Sequence, residues 1–462
     1  MKESPVGSLM LVLAVAPFWW ACSSDSTREA QSPEGGTELG GCLSHCGPTA
    51  DSFFDNDKVA TLDLTIDADY LKAAGYAPDQ WADLLWDKWN SHCGPYDWVP
   101  VKMEYESPDG VGNDVLERVG MRLRGSKSRG KNPLAGFKLD YNKLVMSEAS
   151  NRRFADLNRL EALSNESDPS EMLQCMSYKL VRDFGIEAPR CNHIRVYING
   201  TLYGLMENVE RAKDGRYLEH HFGTNHGLLC GGSASCGYAD SLADLEYKGD
   251  TFNDDYAAAY EIIRGTTEGA ESSLIQMFKC GDPTETPSDD DFKACISDWI
   301  DVDNWLRLIA AESLMPSVED FVGARRNYYT FFEPHTDAPH GGLFRIWGWD
   351  YDTSIQVATC FPRDCDPFKA VAGWYGPRGA RAKLVVRLTT VFKDRYCELA
   401  NEFLTDAYDP EKVSAMADAI DSFMQDDPVV TYDAWRAEVT KMHDYMVQHR
   451  MDAQAAIDAA CQ

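Results

Sequence analysis

Apolar and polar residues alternate along several short segments in the first half of the chain. From Ala60 to Ile66, every second residue is apolar, as in a strand that buries one face. Phe137, Leu139 and Tyr141 form a similar apolar series, with Lys138 between them. The pattern predicts strands over Val59–Ile66, Trp98–Tyr105, Val115–Arg124, Gly136–Tyr141 and Asp156–Leu163.

Helical patterns dominate the second half. Asp168-Pro169 is a helix start signal and Gly185 a stop signal, which predicts a helix that ends near Phe184. Trp305–Leu314 and almost all of Ala380–Ala460 are also predicted to be helical. Two strand pairs interrupt these helices. They are His193–Ile198 with Leu202–Val209, joined by Asn199-Gly200, and Asn327–Phe332 with Phe344–Trp349.

The order of these elements predicts an α+β fold with two lobes. The N-terminal lobe is β-rich and the C-terminal lobe is helix-rich, whereas a doubly wound sheet would need regular alternation of strands and helices. The segment from about 240 to 301 mixes short helices with Asp-rich loops. We predict that it is an insertion within the second lobe.

The N-terminus carries a targeting signal. The apolar run Leu9–Trp20 is too short to span a bilayer but fits the core of a signal peptide. Ala21-Cys22 and the serines that follow are typical of a bacterial lipoprotein cleavage site. We therefore predict a signal peptide over residues 1–21, a lipid on Cys22 and a flexible tether over residues 22–57. The alternative is an ordinary secretory peptide.

The charge balance narrows the range of partners. The 462-residue chain has 44 Lys and Arg against 74 Asp and Glu, a formal net charge of -30. Such a surface repels DNA, RNA and anionic lipid. We therefore expect no nucleic-acid partner, and expect contact with a membrane only through the N-terminal lipid.

Cysteine spacing indicates disulfides, because an exported chain meets an oxidising environment. The chain has 14 cysteines, or 13 without Cys22. The candidate short loops are Cys42/Cys46, Cys230/Cys236, Cys280/Cys295 and Cys360/Cys365. We predict Cys230/Cys236 and Cys360/Cys365 first, although connectivity does not follow from sequence alone.

A basic, glycine- and serine-rich turn stands out in this acidic chain. Arg122-Leu-Arg124-Gly125-Ser126 begins it, and Lys138 lies on the strand that follows. Glycine lets backbone N–H groups approach phosphate oxygens, and Lys or Arg neutralises their charge. The turn therefore predicts an anion site. The alternative is a solvated hairpin turn without a ligand.

Two further segments place carboxylates where a metal or a reacting hydroxyl could meet them. Asp320 and Asn327 lie in a loop between a helix and an aromatic strand, a setting suited to a base and a metal ligand in phosphoryl transfer. Asp350 and Asp352 follow the apolar strand that ends at Trp349. Hard oxygen ligands at a strand end suit Mg²⁺. In the simpler interpretation these acids only cap turns.

In this order, the segments resemble the spore-coat protein H (CotH) kinase family. The resemblance rests on the Arg-x-Arg-Gly turn at 122–125, Asp168-Pro-Ser170, the strand pair around Asn199-Gly200, Asp320 with Asn327-Tyr-Tyr, and Trp349-Asp350-Tyr-Asp352. It covers roughly residues 58–354. It implies a kinase-like domain over residues 58–462, with lobes at 58–210 and 211–462.

The resemblance implies an atypical extracytoplasmic kinase that uses ATP and Mg²⁺, or Mn²⁺ in its place, to phosphorylate Ser or Thr of cell-surface or coat proteins. Arg124, Gly125, Ser126 and Lys138 would contact the phosphates, although Lys127 competes with Lys138. Asp320 would act as the base. Asn327 and Asp350 would hold the metal, with Asp352 in support.

Several points stay open at this stage. The glutamate partner of the lysine has no clear candidate, although Glu171 lies near a suitable helix. A non-catalytic pseudokinase or surface scaffold is the main alternative, because ATP is scarce outside the cytoplasm. A phosphatase with Asp350 as nucleophile is less well supported, since little strand-helix alternation follows it.

Overall fold

A computed structural model of the protein describes residues 44–88, 97–124, 135–145, 152–164, 168–232, 243–265, 270–315, 317, 320–355 and 382–461. These residues belong to one compact unit that spans Glu38–Gln462. Cys22, Gly125, Ser126 and Lys127 lie outside the described ranges, as does the predicted pair Cys360/Cys365. None of the helices in these ranges is both long enough and apolar enough to cross a membrane.

The strands confirm the alternating patterns. They are β1 (His45–Cys46), β2 (Ala60–Ile66), β3 (Val99–Glu106), β4 (Asp114–Leu123), β5 (Phe137–Asp140), β6 (Arg153–Phe154), β7 (Arg159–Leu163), β8 (Cys191–Ile198), β9 (Thr201–Val209), β10 (Leu228–Gly231), β11 (Glu261–Arg264), β12 (Tyr328–Pro334) and β13 (Gly342–Gly348). Both predicted strand pairs, β8 with β9 and β12 with β13, are antiparallel neighbours.

Seven strands form a closed barrel in the order β2-β3-β4-β5-β7-β9-β8. The pairing of β2 with β8 is parallel, and the other pairings in the barrel are antiparallel. Alternate residues such as Leu64, Met121 and Leu139 fill its interior. The mixed α+β class is therefore correct, but the sequence did not predict that the strands close on themselves.

The helices lie mainly in the second half. They are α1 (Ala50–Phe53), α2 (Ala68–Ala73), α3 (Trp81–Lys88), α4 (Leu173–Asp183), α5 (Gly215–Phe222), α6 (Asp254–Ala257), α7 (Ala270–Gly281), α8 (Asp289–Ser297), α9 (Val302–Leu314), α10 (Phe321–Ala324), α11 (Lys383–Val391), α12 (Lys393–Glu402), α13 (Glu411–Met424) and α14 (Tyr432–Ala460). A π-helical turn, Phe403–Ala407, follows α12.

A second, larger core joins the helices from α4 onward to a four-stranded sheet of order β11-β10-β12-β13. Strand β11 lies inside the range predicted as an insertion, yet it pairs with β10. At the other end of the chain, β1 and α1 lie within the segment assigned to the tether, and Phe53 and Phe54 are buried. The packed structure therefore begins before Lys58.

Helix α4 begins later than predicted. Its first residue is Leu173, because Glu171 adopts a left-handed backbone conformation with φ 59° that interrupts the turn after Asp168. The Asp168 carboxylate still serves the helix start, since it accepts the N–H groups of Met172 (2.8 Å) and Leu173 (2.7 Å). The start signal was real but acts from outside the helix.

The described residues contain three disulfides between described cysteines: Cys175–Cys191, Cys280–Cys295 and Cys397–Cys461. The prediction of Cys280/Cys295 is confirmed. Cys46 is also disulfide-bonded, and its predicted partner Cys42 lies outside the described residues. The prediction of Cys230/Cys236 is wrong, because Cys230 is a free thiol buried within β10, where it packs as a small apolar residue.

Candidate active site

The predicted lysine lies in a charged row across three adjacent barrel strands. In the strand register, Lys138 on β5 is directly opposite Arg122 on β4 and Glu161 on β7. Its neighbours Phe137 and Leu139 point into the barrel, so the charged row lies on the outer face. Lys138 Nζ is 2.7 Å from Glu161 Oε1. Glu161, rather than Glu171, is the carboxylate partner of this lysine.

Two more arginines surround the same carboxylate. Arg211 Nε is 3.3 Å from Glu161 Oε1, and Arg124 Nη1 is 3.8 Å from Glu161 Oε2. Arg122 lies over the Trp98 ring, 5.1 Å from its centroid. Three cationic side chains therefore surround one carboxylate, and Arg122 lies opposite Lys138 in the adjacent strand, within a protein that is strongly acidic overall.

The electrostatics of this cluster favour an anionic ligand. Burial alone would raise the pKa of Glu161, but Lys138, Arg124 and Arg211 outweigh it and hold that pKa below its usual value. Burial lowers the pKa of Lys138, and Arg211 lowers it further while Glu161 opposes both. The Lys138 side chain keeps 18% exposure and contacts the Glu161 carboxylate. An incoming anion would relieve the repulsion among the cations.

The predicted metal ligands meet at the ends of β12 and β13. Asn327 Nδ2 lies 3.5 Å from Asp350 Oδ2, and the N–H of Trp349 donates to the Asn327 carbonyl at 2.9 Å. Asn327 and Asp350 both adopt left-handed conformations, with φ 57° and 65°. Asn and Asp tolerate this region better than most residues, and such conformations are typical of functional sites.

Tyr329 lies beside the aspartate cluster. It lies on β12, is almost fully buried and stacks near Trp349, with ring centroids 6.0 Å apart. Burial raises the pKa of Tyr329, and the charges of Glu161 and Asp350 raise it further. Tyr329 is therefore a buried aromatic side chain beside Trp349, the residue that precedes Asp350.

The predicted base, Asp320, is 1% exposed. Its Oδ2 accepts the N–H of Ser317 at 3.1 Å. Burial raises the pKa of Glu312 well above its usual value, and the nearby charge of Asp320 raises it further. The hydroxyl of Ser317 is in turn hydrogen-bonded to that of Thr353 at 2.8 Å, which joins the Asp320 loop to the strand end that carries Asp350 and Asp352.

Helix α4 supports that strand end from the opposite side. The hydroxyl of Tyr178 accepts the N–H of Asp350 at 3.1 Å, and its ring packs on Tyr351. The residues after Asp352 also contact α4, since the hydroxyls of Ser354 and Ser177 are hydrogen-bonded. The strand end is therefore held between α4 and the loop that contains Asp320.

The structure thus brings Arg124 and Lys138 together, and Asn327 and Asp350 together. Sequence reasoning missed Glu161, Arg211 and Glu312. Glu161 could have been found only with the strand register, because it directly opposes Lys138 across two strands that were both predicted. Nothing in the local sequence distinguished Arg211 or Glu312 from ordinary surface charges.

Two other features do not form part of this site. Cys175, His193 and Glu207 place potential ligand atoms within 4.8 Å of one another, but the sulfur of Cys175 is bonded to Cys191, which leaves two ligands. An apolar cavity of about 220 Å³ lies elsewhere, against α3 and the start of β9. It is lined by Trp81, Leu85, Trp86, Leu123, Tyr203 and Val429, and none of the site residues lines it.

Comparison with known proteins supplies the family. No curated protein matches the chain. A family model described as CotH kinase protein matches residues 121–452, well over half of the chain, and this range includes both clusters. The chain therefore belongs to the CotH kinase family.

Proposed function

We propose that the protein is an atypical extracytoplasmic kinase that transfers the γ-phosphate of ATP to Ser or Thr of surface or coat proteins. One observation carries the proposal: the protein has a cationic cluster around Glu161 and, at the ends of β12 and β13, an oxygen-donor pair formed by Asn327 and Asp350. Phosphoryl transfer requires positive charge on the phosphates and oxygen ligands for a divalent ion, held in one place. Family membership supports the same activity.

The donor sets fit the two groups that this activity requires. Arg124, Lys138 and Arg211 would bind phosphate oxygens, because their charge exceeds that of Glu161. Asn327 and Asp350 offer an amide and a carboxylate oxygen, which suit Mg²⁺ or Mn²⁺. The bound ion would neutralise charge on the phosphates. Asp352 would support these ligands, and Asp320 would accept the proton of the acceptor hydroxyl.

The location and the two lobes belong to the same proposal. Disulfides are typical of proteins that fold outside the cytoplasm, and three connect described residues of this chain. A lipid on Cys22 would hold the domain at the cell envelope. In this arrangement the barrel, within residues 58–210, acts as the first lobe. The helix-rich part, residues 211–462, acts as the second.

The proposal is tested by incubating the purified protein with labelled ATP and Mg²⁺ or Mn²⁺ and measuring autophosphorylation. Asp350→Ala should abolish transfer. Asp320→Asn should lower kcat by about a hundredfold or more while nucleotide affinity stays nearly constant, because a base acts on the acceptor. Lys138→Ala should instead weaken nucleotide binding itself.

The matched control is Asp337→Ala, an exposed residue beyond the opposite end of the β12–β13 pair. It should leave transfer unchanged. If the wild-type protein binds no nucleotide with either metal and the Asp350 variant behaves identically, the kinase proposal fails. A non-catalytic scaffold then takes its place.

A further inference from the structure

The loop that carries Asp320 is tied to the strand end that carries Asp350. At one end of the loop, the hydroxyls of Ser317 and Thr353 are hydrogen-bonded at 2.8 Å. At the other end, Trp349 N–H donates to the carbonyl of Asn327 at 2.9 Å. Two segments distant in sequence therefore meet along their length, and the proposed base and metal ligand depend on their relative position.

One buried carboxylate lies between these two ties. Glu312 on α9 is 1% exposed and reaches both segments at once. Its Oε1 accepts the hydroxyl of Tyr351 at 2.9 Å, and its Oε2 accepts the N–H of Val322 at 3.0 Å. Tyr351 lies between Asp350 and Asp352, and Val322 lies two residues after Asp320. A single side chain thus connects the neighbours of all three acids.

The packing around this connection leaves no room for adjustment. Gly348 is the last residue of β13, and a methyl group on its Cα would clash with both the Tyr351 hydroxyl and Glu312 Oε1. On its other side, the Tyr351 ring packs against Tyr178 of α4, with centroids 5.4 Å apart. Tyr351 can therefore reach Glu312 in essentially one orientation.

We infer that Glu312 is a positioning residue that sets the distance between the base Asp320 and the metal ligand Asp350. The inference rests on the proposed kinase function and adds to it a residue that contacts neither phosphate nor metal. Glu312 belongs to a 13-residue helix with ten buried residues, so it provides a rigid reference point. Transfer requires the acceptor oxygen and the phosphate to be aligned closely, and a shift of about 1 Å can lower the rate on the order of a hundredfold.

The test removes the connection without removing bulk. Glu312→Gln keeps the shape of the side chain but cannot accept both hydrogen bonds, and Tyr351→Phe removes only the donor hydroxyl. The control is Tyr256→Phe. It also removes a tyrosine hydroxyl, one that donates to the carbonyl of Gly249 at 3.2 Å and accepts the N–H of Lys248 at 2.6 Å, in a part of the protein that contains none of the site residues. All variants are made in the full-length chain.

Four quantities are measured for each variant: kcat, KM for ATP, the unfolding temperature, and amide hydrogen exchange over residues 320–327. We expect Glu312→Gln and Tyr351→Phe each to lower kcat by about tenfold to a hundredfold, with KM for ATP changed less than about threefold. The effect on kcat of the double variant should be smaller than the product of the two single effects, because both changes weaken the same connection. Exchange at Val322 should become faster.

Tyr256→Phe should lower the unfolding temperature to a similar extent and leave kcat and the exchange at Val322 unchanged. The inference is overturned if kcat is unchanged in the two site variants, if it falls equally in Tyr256→Phe, or if the single effects add in the double variant. If the wild-type protein shows no transfer at all, the kinase proposal fails separately. In that case the hydrogen exchange of Tyr351→Phe still tests whether Glu312 links Tyr351 to Val322. Unchanged exchange at Val322 overturns this link, and faster exchange supports it.

Discussion

At the scale of single residues, Glu161 organises the positive charge of the site. It accepts Lys138 at 2.7 Å and Arg211 at 3.3 Å, and its carboxylate keeps these cations from repelling one another. The arrangement resembles an anion-binding site in which the Glu161 carboxylate already occupies one anionic position. A phosphate ligand would therefore add to a cluster whose cations are held in place before it arrives.

We predict that Glu161→Gln lowers the free energy of unfolding by about 2 kcal/mol, because it leaves neighbouring cations without their counter-charge. Added inorganic triphosphate should raise the unfolding temperature of this variant more than that of the wild type, since the ligand replaces the missing charge. Thermal unfolding with and without triphosphate measures both effects.

The control for that change is Glu104→Gln, which breaks an exposed ion pair with Lys102 on β3. Exposed pairs contribute little, so its free energy of unfolding should fall by less than about 1 kcal/mol. Triphosphate should stabilise it no more than the wild type. An equal response of the two variants to triphosphate would show that the cluster around Glu161 is not an anion site.

At the scale of elements, helix α4 connects the barrel to the aspartate cluster. The disulfide Cys175–Cys191 attaches it to β8, and Glu207 on β9 accepts the N–H of Cys175 at 2.9 Å. On its other face, Tyr178 accepts the N–H of Asp350. A movement of α4 relative to the barrel would therefore be transmitted directly to the proposed metal ligand.

Two disulfides of nearly equal span allow a matched test of this role. Cys175–Cys191 and Cys280–Cys295 are separated by 16 and 15 residues. Replacing either pair with alanine should lower the free energy of unfolding by on the order of 3 kcal/mol, as expected for loops of this length. Denaturant titration measures this loss.

Only the Cys175/Cys191 replacement should also weaken the binding of a nucleotide with Mg²⁺, because only that pair holds α4. The Cys280/Cys295 replacement is the control, since it joins α7 to α8. Nucleotide titration of both variants below their unfolding transitions distinguishes the two. Equal affinities would mean that α4 keeps its position without the disulfide.

Individual elements also show how far the sequence alone can lead. The alternation of apolar and polar residues predicted the positions of the barrel strands in the sequence. It could do so because one face of each strand is buried, so every second residue is apolar. Strand order and register depend on contacts between distant segments, so the partner of Lys138 remained unknown until Glu161 was seen opposite it. The start of α4 was predicted too early for a local reason, the left-handed backbone of Glu171.

The residues of the candidate site also divide into those that a local sequence pattern predicted and those that only the structure revealed. Asp320 and Asn327 were predicted because they lie in a loop between a helix and an aromatic strand, and Asp350 because it follows an abrupt change from apolar to polar residues. Arg211 and Glu312 follow no such change, and their importance comes only from what they contact in three dimensions. The pairing Cys175–Cys191 was not predicted, although its separation is close to that of Cys280–Cys295, and Cys230 was wrongly paired with Cys236 because the two are close in sequence.

At the scale of the whole molecule, the net negative charge and the predicted lipidation site at Cys22 bear on how the protein attaches to a membrane. A net charge of -30 disfavours adsorption to anionic headgroups, so stable attachment would have to come from a covalent anchor. We predict that Cys22→Ala shifts the protein from the membrane fraction to the soluble fraction. Fractionation followed by mass spectrometry of the N-terminal peptide measures both partitioning and lipid.

Ser23→Ala is the control for this change, because it alters the adjacent residue but keeps the thiol that would carry the lipid. It should remain with the membrane. Unchanged partitioning of Cys22→Ala, together with an N-terminal peptide that carries no lipid in the wild type, would contradict the anchor and favour an ordinary secretory peptide.

The closure of the seven-stranded sheet affects how readily crowded copies of the protein could pair through their strands. An open sheet presents unpaired N–H and C=O groups along its outer strands, and a neighbouring chain can add to them. Here each of the seven strands pairs on both sides. Copies held side by side therefore find no template on the barrel for strand-by-strand growth, and this half of the molecule is protected against aggregation by its topology alone.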